Sequence, residues 1–247
     1  GIGARASARA RLIPVTVQED ARMKIAVIGG TGREGQGLVL RLAASGEEAV
    51  LIGSRQAEKA RAKAEALNHQ LGRAVVVGLE NRAAARVADL VILCVPYAAH
   101  EETLRAIAPD LCGKILVDTT VPLDPQDPLR LRRRSEQSAA EEAQALLGEN
   151  VKVVAAFQNV SAAALRNLQH AVECDILVCG DDAAAKEIVI ALIRRLGLRA
   201  WDAGPLRMAR AVEELTPLLL SLNRRYGSRS AGIRITGLED TSPSAPR

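Results

Sequence analysis

Residues 24–35 read Lys24-Ile25-Ala26-Val27-Ile28-Gly29-Gly30-Thr31-Gly32-Arg33-Glu34-Gly35. An apolar run ends in glycines, and Gly30, Gly32 and Gly35 keep the spacing G-x-G-x-x-G. Alone the pattern is weak. Directly after a strand-like run and at the head of a helical period, it marks a dinucleotide-binding turn. Gly30 is expected to allow the tight turn and Gly32 to let the backbone approach a pyrophosphate. Gly35 would let the helix pack on the strand. The free N–H groups and the helix dipole then stabilise the anion.

Working outward, 33–45 carries Leu38, Val39 and Leu42 on one side of a helix, and 49–52 is the next strand. An NAD site places Asp or Glu at the end of that strand, where it accepts from the ribose 2′-OH. Here the strand runs into Gly53-Ser54-Arg55. No carboxylate is there to repel a 2′-phosphate. Arg55 offers a planar fork of donors, Ser54 a hydroxyl, and Lys59 follows one helical turn later. The cofactor read from these residues is NADP.

Strands and helices continue to alternate: helix 56–71, strands at 74–77 and 90–95, helix 101–111, strand 114–117. Strands apolar on both faces imply a parallel sheet covered on both sides. After Pro122, Pro125 and Pro128 comes a basic run, then a capping box at Ser138 and Glu141 and a strand at 151–156. Further elements follow at 176–179, 183–196, 199–201 and 205–224. The expected fold is α/β: a Rossmann-type doubly wound parallel sheet with a smaller C-terminal α/β domain. The NADP-binding domain is assigned to 23–157 and the small domain to 158–240. Residues 1–22 are read as a flexible or artefactual extension and 241–247 as a disordered tail.

Composition narrows the function. Of the 247 residues 48% are hydrophobic, enough for a sizeable core, but only 2% are aromatic, which argues against base-stacking platforms for single-stranded nucleic acid. Four arginines before Met23 account for much of the net charge of +4, so no nucleic-acid footprint remains. No apolar run reaches membrane-spanning length. Cys94 and Cys179 lie in apolar runs and read as small buried thiols, and no metal-ligand spacing occurs. A cytoplasmic protein with small-molecule partners fits these observations. Of three histidines, His69, His100 and His170 all read as surface residues, with His100 nearest the site. An alcohol or hydroxyacid dehydrogenase needs a proton shuttle. Hydride transfer between two cofactors needs mainly alignment, and the expectation is that no side chain is catalytic.

Several stretches carry a family resemblance. They are the opening from Met23 to Gly32, Gly53-Ser54-Arg55, Val95-Pro96-Tyr97, Ser135 to Glu141, Cys179-Gly180-Asp181-Asp182, Asp202 to Leu206, and Glu213-Glu214-Leu215-Thr216-Pro217-Leu218. The chain from Met23 to Leu238 resembles the coenzyme F-420-dependent NADP reductases. The resemblance implies direct hydride exchange between NADP(H) and the deazaflavin coenzyme F-420, in a cleft between the domains, by a homodimer. It implies that Thr31, Gly32, Arg33 and Glu34 line the pyrophosphate, and that Ser54, Arg55 and Lys59 hold the 2′-phosphate. Val95, Pro96, Tyr97, Val121 and Ala162 would lie towards the nicotinamide. Gln158, Val160, Thr216 and Leu219 would form the deazaflavin pocket, which Thr216, Leu219 and Ala231 close. The family often has His where this chain has Gln158. Arg207, Arg210, Arg224 and Arg225 are candidates for attracting the phosphodiester and glutamates of the deazaflavin tail. Two rival readings stay open: an NADP-dependent reductase of an imine, flavin or metal chelate, and a non-enzymatic NADP-binding redox sensor.

Overall fold

The computed structural model describes residues 23–46 and 49–239. The expected extension 1–22 and the expected tail 241–247 lie outside them. Eight strands alternate with eight helices: β1 (Lys24–Ile28), α1 (Arg33–Ser45), β2 (Ala49–Ser54), α2 (Ala57–Leu71), β3 (Val76–Glu80), α3 (Asn81–Val87), β4 (Leu90–Leu93), α4 (Tyr97–Ile107), β5 (Ile115–Asp118), α5 (Ala139–Leu147), β6 (Lys152–Ala155), α6 (Ala162–Arg166), β7 (Asp175–Gly180), α7 (Ala183–Arg195), β8 (Arg199–Asp202) and α8 (Ala209–Tyr226).

The strands form one sheet in the order β3-β2-β1-β4-β5-β6-β7-β8. The first six are parallel, β7 is antiparallel to β6, and β8 is parallel to β7. The segment after Gln158 therefore extends the first sheet rather than building its own. In β1 the side chains alternate between two cores. Ile25 and Val27 pack with α1, α2 and α7, while Ala26 and Ile28 pack with α3, α4, α5 and α8. That double burial is why the strand is apolar at consecutive positions. Between β1 and β4 the strand order reverses, and ligands of such sheets bind in the crevice beyond the C-terminal strand ends there.

The element boundaries differ from expectation for local reasons. The Asn68 side chain takes the N–H groups of Val75 and Val76 and donates to the Val76 carbonyl, so β3 starts later than 74. Pro96 stands at the N-cap of α4, and Pro109 converts its end into a 3-10 turn, moving that helix from 101–111 to an earlier span. Ser138 and Glu141 form the expected reciprocal cap of α5. Helices α3 and α6 were not anticipated. The α6 helix is clamped to α1: Arg41 Nη2 donates to the carbonyls of Ala164 and Asn167 at 2.9 and 3.0 Å. A Cβ on Gly37 would lie 2.7 Å from that of Leu165.

Candidate functional site

The glycine loop leaves β1 at Gly29, which has φ +78°. A side chain there would overlap the Cys94 carbonyl at the end of the neighbouring strand. The left-handed φ thus belongs to Gly29, set by the approach of β4, while the turn needs Gly30 as well, whose Cβ would lie 2.8 Å from the Val27 carbonyl oxygen. Gly35 does pack the helix onto the loop: its Cβ would meet the Gly29 carbonyl oxygen at 2.6 Å and the Gly30 Cα at 2.7 Å.

One cavity, of about 280 Å³, opens from this loop. It gathers Thr31, Gly32, Ser54, Arg55, Lys59, Val95 and Pro96. No carboxylate lines it. Among the further residues that the sequence reading passed over are two side-chain amides. Gln56 precedes α2, and Asn81 begins α3 with its Oδ1 buried and without a partner. Asn81 had no signal, because helix α3 itself was not expected.

A second cavity, of about 610 Å³, lies at the β6 end of the crevice. It brings together Gln158, Val160, Ala162, Thr216, Leu219 and Ala231, with Arg33 on its wall. Arg33, expected beside the pyrophosphate, thus lines this cavity, as do Ala162 and Ala231. Gln158 is 5% exposed; its Nε2 donates to the Asp118 carbonyl at 2.8 Å, and its Oε1 has no partner. The neighbouring Asn159 repeats the arrangement, with Nδ2 on the Asp175 carbonyl and Oδ1 unpartnered. The Thr216 hydroxyl donates to the Gln158 carbonyl at 2.8 Å, fixing α8 against this loop. Two residues earlier in the motif, Glu214 pairs with Arg133 at 2.7 Å; buried Glu213 takes Arg133 and the Ala139 N–H. Of the arginines proposed for an anionic tail, Arg210 is bound bidentately by Glu141.

Tyr97 and Val121 line a third cavity of about 710 Å³ that shares Pro96 with the first. The Tyr97 hydroxyl donates to Glu142, and the Arg134 guanidinium lies 4.8 Å from its ring centre.

Beneath the loop is a buried polar cluster. His100, expected on the surface, is 1% exposed, and its Nε2 lies 2.6 Å from Asp118 Oδ2. The early start of α4 turns His100 inward. Burial opposes its charge, but the Asp118 carboxylate outweighs burial and raises its pKa. Glu34, expected at the pyrophosphate, is half-buried, and its carboxyl interacts with Thr119 and Asp118. Burial pushes it up to about 8, with Asp118 adding to the effect against a hydrogen bond from Thr119. The Thr119 hydroxyl also reaches the Leu93 carbonyl, at 3.0 Å. Cys94, half-buried beside them, is raised well above the usual thiol range by burial and then by Glu34. His69 and His170 are exposed as expected. Among the described residues no group of three or more His, Cys, Asp or Glu is placed to hold a metal, and no helix is long and apolar enough to cross a membrane.

Residues 24–122 match the family model described as NADP oxidoreductase, coenzyme F420-dependent. The F420-dependent NADP reductase of Methanocaldococcus jannaschii is 47% identical over 225 residues, covering 88% of this chain and all of that protein. A solved structure of a putative F420-dependent NADP reductase from Arthrobacter superposes with TM-score 0.76 at 30% identity, over 87% of this chain and 99% of that one. The metalloreductase STEAP3 of Rattus norvegicus is 32% identical over 80% of this chain, which spans only 37% of that protein. Identity of this order over 88% of the chain places it in the family of coenzyme F420-dependent NADP reductases.

Proposed function

We propose that the protein transfers a hydride directly between NADP(H) and the deazaflavin coenzyme F-420. The observation that carries this reading is the pairing of two cavities on one glycine loop. Thr31 and Gly32 line the first, and the next residue, Arg33, lines the second.

The residues of the first cavity fit a dinucleotide phosphate. Ser54, Arg55 and Lys59 would hold the 2′-phosphate, with no acid opposing them. Gly32 and Thr31 present backbone to the pyrophosphate, Gly30 and Gly35 shape the loop, and the buried Asn81 Oδ1 is an acceptor for the adenine amine. Val95 and Pro96 lead towards the nicotinamide end, with Tyr97 and Val121 beyond them.

The second cavity fits a polar aromatic ring. Val160, Ala162, Leu219 and Ala231 supply apolar wall, and Gln158 Oε1 and Asn159 Oδ1 are buried acceptors needing a donor. Thr216 holds the Gln158 loop in place. When bound, the two coenzymes supply the hydride donor and acceptor carbons themselves. The protein's part is to orient them and exclude water, which needs no side-chain acid or base.

In this reading 23–157 carries NADP and 158–240 carries the deazaflavin. The exposed Leu218 and Leu222 on α8 would be covered in a homodimer, and the free thiols suit a reducing cytoplasm. The test is to mix protein, NADPH and oxidised coenzyme F-420 and follow the deazaflavin absorbance. Turnover is expected; NADPH binding without turnover would overturn the reading.

A further inference from the structure

The second cavity holds a feature that ring binding does not use. Three arginines line it: Arg33 at the start of α1, Arg166 at the end of α6 and Arg229 in the segment after α8. They come from three elements far apart in sequence. No Asp or Glu lines the cavity with them. Among the described residues none of the three has a carboxylate within ion-pair distance, although this surface pairs arginines freely elsewhere, as Arg82, Arg86, Arg133, Arg134 and Arg210 show. The Arg229 backbone is held in place, since its carbonyl accepts from Ser161 Oγ at 2.5 Å. Arg166 belongs to the helix that Arg41 clamps to α1. Unpaired like charges on one cavity repel, and a bound polyanion removes that repulsion. The apolar wall formed by Val160 and Leu219 lies inside the same cavity. An aromatic head with an anionic tail matches this layout.

We propose that Arg33, Arg166 and Arg229 form the recognition site for the anionic tail, phosphodiester and glutamates, of the deazaflavin coenzyme. The proposal rests on the functional reading above. It moves tail recognition away from the α8 arginines, of which Arg210 is already committed to Glu141. The arginines act electrostatically and touch no reacting atom, so they set affinity rather than rate.

The experiment compares the full coenzyme with its truncated precursor, which has the same ring and ribityl chain but no phosphodiester or glutamates. Equilibrium binding to the purified protein is read from deazaflavin fluorescence, and turnover with NADPH is measured in parallel. The unaltered protein should bind the full coenzyme more tightly, with an affinity that falls as salt rises, while the precursor's affinity stays nearly flat. Arg166→Ala and Arg229→Ala should each raise the Kd of the full coenzyme by about fivefold, the upper range for an exposed charge contact. The ratio of the two Kd values should collapse in the double variant. Precursor turnover by the variants reports that they are folded. Equal, salt-independent Kd values for the two ligands in the unaltered protein, with both turned over, would overturn the tail site and leave the functional reading standing. Turnover of neither would overturn the functional reading itself. A variant that loses both ligands in proportion would also count against the tail site.

Discussion

Replacing Glu34 by Gln should flatten the alkaline side of the stability profile. In the folded protein the Glu34 carboxyl is pushed up to about 8, from 4.5 in an unperturbed setting. Between those values the folded chain keeps a proton that the unfolded chain has released, so stability falls as pH rises and levels off above the folded value. The whole effect is about 5 kcal/mol, of which about 1 kcal/mol is lost between pH 7 and pH 9. For a chain of this size that corresponds to a fall in Tm of about 2–4 °C over the same interval. Glu213, raised to about 7, and His100 shift the profile in the same direction. Both remain in the variant, so the comparison cancels them. Gln keeps the size of the side chain and has no charge to develop. The assay is thermal unfolding of the ligand-free protein at pH 7 and pH 9, for both proteins. A Tm fall of equal size in the two would refute a neutral Glu34.

Other substitutions probe the rest of the site. Arg55→Ala removes the guanidinium facing the expected 2′-phosphate and should raise the KM for NADP by about 10- to 100-fold, the size of a charge-assisted hydrogen bond. The KM for the deazaflavin should move by less than about twofold; equal effects on both would contradict the assignment. Gly35→Ala places a methyl against the Gly29 carbonyl and the Gly30 Cα, which should cost about 1–3 kcal/mol in denaturant unfolding and weaken NADP binding. Glu213→Ala leaves the buried Ala139 N–H without its partner and Arg133 with Glu214 as its remaining carboxylate, and should lower stability by about 1–3 kcal/mol. An unchanged denaturation midpoint would refute a stabilising role for Glu213.

Much of this architecture was legible from local pattern. The run from Lys24 to Gly35 encodes a strand, a turn and a helix start, and α1 falls where its apolar period places it. The Ser138 and Glu141 cap was equally readable. The site was legible where it depends on residues adjacent in sequence, as at Ser54 and Arg55. It was not where a distant segment decides. Gly29 takes the left-handed turn because the Cys94 carbonyl crowds it. His100 is buried because Asp118 waits on the next strand. Arg33 and Glu34 are adjacent, yet one lines the second cavity and the other interacts with Thr119 and Asp118. A motif names such positions without stating which way each side chain goes. Asn81 belongs to the same class, since its helix became visible only with the sheet assembled.

The clamp between α1 and α6 has a kinetic consequence. The glycine loop and the second cavity's rim ride on one helix pair, locked by Arg41 and by the close contact of Gly37 with Leu165. The sheet runs unbroken from β1 to β8 beneath them. Fluctuations of the two walls are then correlated, and the separation between them is little modulated by solvent drag. Glycerol or sucrose should slow coenzyme release while leaving the single-turnover rate constant unchanged. A hinged enzyme, which must close through the solvent before each transfer, would show friction in both.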